Sequence, residues 1–324
     1  SVPQSVGMVN GLIAKGATAF LLDREYNVWI AGTRGVNKIY DRRFLNYRKM
    51  HGLLDDEVSA IARSGSGIVV LGHDTGLTIY DQGALRKRTL NTNRVMDLRT
   101  DPDGNIWAAC SNLGLARLDA SGNITRWYGR NDGLDLSLSS ILVDQDRQVW
   151  VGTYERLYRL ENGSFQPVTV GAERDMTVRR VTQGPSGRIY VATVRKGLFV
   201  RTDDVWKQYI NPTDHKADNL YTALEDRSGR VWVGSISGLY TIDGDSLAKA
   251  SLDGTHLERS IYSLLEDDQG RLWFGTDNGV FTWDGDRLNQ YDVRDGMAGS
   301  EINRAAMMLG DDGRVWIGTS RGLS

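Results

Sequence analysis

Short apolar runs bounded by turn residues recur along the whole chain. The clearest stretch is Leu220 to Ile242. Its first run, Leu220 to Leu224, ends at Asp226, which predicts a buried strand followed by a turn. Asp226-x-x-Gly229 supplies the turn chemistry, because the Asp carboxylate bonds to the backbone two residues on and Gly229 accepts positive φ. Val231-Trp232-Val233 is a second strand, which Gly234 closes. A third begins at Gly238-Leu239 and alternates to Ile242. A more variable fourth strand follows, often with an aromatic: Phe44 and Tyr47, Trp127, Phe165, Trp206. Four short antiparallel strands in about 40 residues make one propeller blade.

The period is read from the second strand. Trp29, Trp107, Trp150, Trp232, Trp273 and Trp316 each follow an aliphatic residue, and Val70 and Tyr190 fill the two gaps. The eight positions are separated by 41, 37, 43, 40, 42, 41 and 43 residues. Three residues before this position stands Gly67, Gly104, Gly187, Gly229, Gly270 or Gly313; Tyr26 and Arg147 take its place in the other two copies. A large ring at a fixed blade position packs between neighbouring sheets and buries about 150–250 Å². The tryptophans are therefore assigned to structure.

The expected fold is all-β, a single β-propeller domain over residues 1–324 with four-stranded antiparallel blades. Its repeat cores fall at about 17–40, 58–80, 95–118, 138–160, 178–200, 220–242, 261–283 and 302–324. Eight motif copies predict eight blades, with seven as the alternative. The last copy stops in its third strand. Val2 to Leu12 resembles the fourth strand and exit loop of the first copy, Phe44 to Leu53, so the N-terminal strand is expected to complete the last blade and close the ring.

Composition narrows the function. Lys plus Arg is 39 and Asp plus Glu is 41, a net charge of −2, which does not point to a nucleic-acid partner. Arg86-Lys87-Arg88 falls in a predicted outer strand, as a solvated edge that discourages sheet pairing. The single cysteine, Cys110, cannot form an internal disulfide and reads as a small buried filler. No apolar run reaches the roughly 18 residues of a membrane span, so direct membrane insertion of this segment is not expected. The start at Ser1 and the stop at Ser324 inside a repeat suggest a piece of a longer protein.

No catalytic signature appears. His51, His73, His215 and His256 stand in no paired metal-ligand spacing, and there is no nucleophile elbow or phosphate loop. Asp267-Asp268 and Asp311-Asp312 fall in inter-strand turns, and Asp101-Pro-Asp103-Gly-Asn105 fits the turn rule better than a calcium loop. No catalytic residue, metal or cofactor is expected. Propellers carry function on loops at one face, around the central channel. Those loops hold Asp55, Asp56 and Glu57; Asn93; Asp132 and Asp135; Arg174 and Asp175; Asn219; Arg259; and Glu301. From the same loops come the residues chosen as candidate ligand-binding groups, Arg94, Arg179, Tyr221, Tyr262, Asn303 and Arg304. Arg, Tyr and Asn together suit a small polar molecule or a glycan, which needs forked hydrogen bonds and stacking.

The repeat also carries a family resemblance. Leu224 to Leu239, Leu265 to Val280 and Val143 to Leu157 follow a pattern that resembles the two-component-regulator propeller repeat. Gly296 to Ala306, followed by Asp312 to Gly318, resembles that family's final blade. The resemblance implies the periplasmic, non-catalytic sensor part of an inner-membrane bacterial receptor. Its output would be a histidine kinase, a hybrid kinase or a diguanylate cyclase. It further implies a dimer in the full receptor and leaves room for a periplasmic protein partner. A protein-docking scaffold is the alternative, with a propeller lyase or quinoprotein-like enzyme behind it.

Overall fold

The computed structural model describes residues 12–24, 28–39 and 44–324. Repeats three to seven each form a four-stranded antiparallel sheet whose strands lie side by side in chain order. The sixth consists of Leu220–Glu225, Val231–Ser235, Gly238–Asp243 and Ser246–Lys249. Trp232 lies opposite Leu224 on one side and Thr241 on the other. The turn forms as its sequence requires: Gly229 N–H donates to the Asp226 carbonyl at 2.9 Å, and Gly229 has φ +85°. Arg147 takes the same left-handed conformation at φ 65°, so this turn tolerates a non-glycine. Tyr26 lies outside the described residues.

The tryptophans do more than fill space. Trp107, Trp150, Trp232 and Trp273 each donate the indole N–H to the Asp six residues earlier, at 3.2, 2.7, 2.7 and 2.8 Å. The other oxygen of the same carboxylate accepts the turn amides, as Asp226 does from Ser228 and Arg230. One carboxylate therefore fixes both the turn and the ring. Satisfying the indole N–H is what lets so large a side chain be buried.

The inner strands decide how many blades close together. They are Ala60–Arg63, Val95–Thr100, Leu138–Val143, Val178–Gln183, Leu220–Glu225, Ile261–Glu266 and Ile302–Leu309. Each packs against the next, and the last returns to the first, with Ala305 bridging Ala60 in parallel. The ring therefore has seven blades, from the second to the eighth repeat, and not the eight expected from motif counting. Repeat one forms a separate three-stranded sheet, Ala17–Leu22, Val28–Gly32 and Gly35–Ile39. Its first strand is exposed along its whole length, so it lacks the two flanking sheets that bury every inner strand of the ring.

Closure also differs from expectation. Residues 1–11 lie outside the described residues, and Tyr47 takes the closing position. Tyr47 and Leu323 exchange two backbone hydrogen bonds of 2.9 Å, which adds a fourth strand position to the last blade. Asn46 Nδ2 donates to the Gly296 carbonyl at 2.7 Å and Arg48 to Ala298 at 3.1 Å, while Phe44 meets Tyr291 edge-on at 6.0 Å. Phe44 and Tyr47 are thus the outer aromatics of the eighth repeat rather than of the first.

The core is distributed between the blades. Cys110 lies fully buried with Val95, Ile106 and Leu118, and burial pushes its thiol up to about 12. Arg86 to Arg88 stand on the exposed outer strand Ala84–Thr89.

Candidate functional site

In repeats three to seven the inner strand slips by one residue immediately after its first position. Val178 faces Thr193 and Arg180 faces Ala192, which leaves Arg179 as an extra residue. The same slip makes extra residues of Met96, Ser139, Tyr221 and Tyr262. A bulge of this kind re-aims a side chain out of the sheet. Here every bulge opens on one end of the central channel. In the last repeat the slip is larger, from Ile302 opposite Thr319 to Met307 opposite Ile317, and it accommodates Asn303 and Arg304.

These residues line a concave cavity of about 470 Å³ at the channel mouth. All six candidate residues, Arg94, Arg179, Tyr221, Tyr262, Asn303 and Arg304, stand on its wall. Glu57 and Glu301 line it too; the other loop residues considered, from Asp55 to Arg259, do not. The sequence placed the six on connecting loops, whereas Arg179, Tyr221 and Tyr262 are bulge residues within strands, and Asn303 and Arg304 lie in the irregular start of one.

The six divide by what they touch. Arg94 is fully engaged: its guanidinium donates to Asp74 and Asn303, both at 3.0 Å, and to Glu57. Asn303 in turn donates to the Val58 carbonyl at 2.9 Å. This clasp joins repeats two, three and eight at the seam where the ring closes. Burial works against the Arg94 charge, but the Glu57 and Asp74 contacts outweigh it and raise its pKa.

The other four form an open cluster. The Tyr221 and Tyr262 rings meet edge to face, 4.9 Å between centroids at 83°. The guanidinium carbons of Arg179 and Arg304 each lie 4.8 Å from the Tyr221 ring centroid. Neither arginine forms an ion pair or donates a hydrogen bond to any described residue. Loss of hydration lowers the Arg304 pKa, and the nearby Arg179 charge lowers it further. Burial raises that of Tyr262, helped by Tyr221.

Below the cavity, Arg180 donates to the fully buried Asp97 at 3.2 Å. Asp97 also accepts from the Ile141 amide at 2.9 Å, so its carboxylate joins three consecutive blades. Burial pushes its pKa up, and the Arg99 charge and backbone donors oppose that. The sequence reading missed this pair, as it missed Ser59, Met96, Ser139 and Tyr154 on the cavity wall. A signal existed: Ser59, Met96, Ser139, Arg179, Tyr221 and Tyr262 each precede the Trp position by eleven residues. His73, read from the sequence as lying in the turn between second and third strands, is fully buried. Among the described residues, no group of three or more His, Cys, Asp or Glu is placed to hold a metal ion.

A closed ring of four-stranded antiparallel blades around a channel defines a β-propeller. Two stretches, residues 89–112 and 257–278, match the model of the family described as "Two component regulator propeller". The fold is similar to the extracellular domain of a putative hybrid two-component system from B. thetaiotaomicron. That domain has a TM-score of 0.80 at 19% identity, with 97% of this chain and 45% of that chain covered. It is also similar to the extracellular domain of a putative one-component system of the same organism, with a TM-score of 0.66 at 16% identity, covering 97% and 46%. A virginiamycin B lyase from Staphylococcus aureus, in a catalytically inactive form with quinupristin, has a TM-score of 0.68 at 13% identity, covering 86% and 97%. The chain spans just under half the length of the two extracellular domains. No curated protein is similar enough in sequence to count as a relative. No described helix is long and apolar enough to cross a membrane.

Proposed function

We propose that this ring is the periplasmic, non-catalytic sensor domain of a membrane signalling receptor, and that a small polar molecule or glycan binds in the channel mouth to control a cytoplasmic output. The single observation that carries this reading is the cluster of Arg179, Tyr221, Tyr262 and Arg304. It gathers forked donors and aromatic faces in one cavity and leaves the donors unused, which is the composition of a binding site. Similarity to extracellular domains of two-component systems supports the receptor context. Control of an output requires that the ligand bind one receptor state more tightly than another.

A thermal-shift screen of the chain against saccharides, amino acids, nucleotides and divalent ions tests the reading. A ligand at 100 times its Kd stabilises the native state by about 2.7 kcal/mol. Stabilisation by one chemical class, lost on Tyr221→Ala, is the expected result. A cooperatively folded sample that responds to no class would move the assignment to protein docking. One feature favours that second reading: Phe20, Leu21, Leu22 and Val36 are all more than half exposed on the repeat-one sheet. Recovery of one stoichiometric partner by the chain, abolished by polar substitutions at Phe20 and Leu22, would support it.

A further inference from the structure

We propose that Arg179 and Arg304, with Tyr221 between them, form an anion subsite, and that the molecule taken into the channel mouth bears a carboxylate. The inference rests on the sensor reading above and narrows it from polar ligands in general to acidic ones. An acidic monosaccharide or disaccharide matches the cavity's volume and its tyrosine faces.

The argument is one of unbalanced charge. Four arginines line the cavity. Arg94 is neutralised by Glu57 and Asp74, and Arg180 by Asp97. Among the described residues Arg179 and Arg304 have no such partner, and Glu301, the remaining carboxylate on the wall, pairs with neither. Two like charges gathered on one tyrosine ring repel each other, and no carboxylate among the described residues pairs with either. The ring face supplies a cation–π contact to each, which fixes position but uses none of their N–H groups. A guanidinium presents five donors in a planar fork that matches a carboxylate. One carboxylate seated between the two forks would satisfy donors on both and cancel the repulsion.

The bulges explain why such an arrangement persists. Arg179 and Tyr221 are extra residues in adjacent inner strands, and Arg304 stands in the enlarged slip of the last repeat. Backbone register turns all three into the cavity, and neither guanidinium is held there by a hydrogen bond or ion pair to a described residue. A purely structural arginine would instead resemble Arg94, with its acceptors within the protein.

The experiment compares galacturonate with galactose, which differ by a carboxylate in place of a hydroxymethyl group, and adds acetate as the bare anion. Binding to the full chain is measured by calorimetry and thermal shift in a low-chloride buffer of low ionic strength. Galacturonate and acetate are expected to bind saturably, with galactose at least about tenfold weaker, the scale of one charge-assisted hydrogen bond. Arg304→Met and Arg179→Met are each expected to weaken galacturonate at least tenfold, while Arg304→Lys keeps part of the affinity. In the ligand-free state Arg304→Met should melt no lower than the parent, because it removes an uncompensated charge; a structural arginine would melt lower. Galactose binding as well as galacturonate would overturn the anion subsite and leave the sensor reading standing. Carboxylates that do not bind, or that bind Arg304→Met as tightly as the parent, would overturn it also.

Discussion

His73 shows how a single side chain can set the conditions under which the ring is stable. It is fully buried, with Nδ1 2.7 Å from the Glu57 carbonyl and Nε2 2.8 Å from Thr78 Oγ1. Thr78 Oγ1 already accepts the Leu54 amide at 2.8 Å, so its hydroxyl proton is free to go to Nε2. A neutral imidazole with its proton on Nδ1 satisfies every group. Burial pushes the His73 pKa below its ordinary 6.5, against the Glu57 backbone bond and the charges of Asp55, Asp74 and Glu57. The unfolded chain therefore takes up more protons than the native one as pH falls below 6.5, and stability is lost in that window. The urea midpoint is expected to be lower at pH 5.5 than at pH 7.5, with the difference shrinking in His73→Gln. An unchanged difference in the variant would show that another group titrates. The sequence did not expose this role, because a lone His in a turn gives no indication of what folds over it.

At the scale of the element, the glycine that ends each Trp run is set by the neighbouring blade. The sequence reading took Gly234 as a strand terminator, yet it lies inside Val231–Ser235. A Cβ on Gly234 would stand 2.5 Å from the Ile261 carbonyl and 3.0 Å from its Cγ2. Gly72 and Gly152 meet Val95 and Val178 in the same way, and Gly275 and Gly318 meet Ile302 and Val58. In the two blades of the ring with Ala here, Ala109 and Ala192, the residue opening the next inner strand is Leu138 or Leu220, with which each shares a core cluster. Glycine thus goes with a β-branched neighbour and alanine with leucine, since a branch at Cβ fills the space an alanine methyl would take. Gly234→Ala is expected to destabilise by about 1–3 kcal/mol through overpacking. Adding Ile261→Leu should recover part of it, a coupling that a double-mutant cycle in urea measures. Purely additive effects would refute the pairing. The period, the Asp-x-x-Gly turn and the strand order were legible because they are local. The candidate site was legible only as a set of residue types, because its geometry comes from bulges that local sequence does not announce.

For the whole molecule, the number of blades depends on which sheets flank which, and a motif count does not contain that information. Repeat one has the same Asp and Trp contact as repeats three, four, six and seven, Trp29 Nε1 to Asp23 at 2.9 Å, and yet stands outside the circle. What joins the two ends of the ring is Phe44 to Arg48 on the last blade, together with the Arg94 clasp on the seam beside it. Ser324 Oγ donates to Asn46 Oδ1 at 2.9 Å, which ties the final residue into the same joint. In a closed ring every inner strand is flanked on both sides, so opening one seam exposes two blade faces at once and removes a loop closure that the rest of the chain relies on. Two deletions separate these contributions. Removing residues 1–43 takes away repeat one and should leave a cooperatively folding ring with a thermal midpoint within a few degrees of the parent. Removing residues 1–52 also takes away Tyr47 and its neighbours, and should lower the midpoint far more and broaden the transition, because the last blade then begins to fray independently. Equal midpoints for the two deletions would place the closing contact elsewhere, and a collapse already at the first would put repeat one inside the cooperative unit. With Arg94→Ala added, the first deletion should fall toward the second, since the backbone zip and the side-chain clasp bridge the same seam.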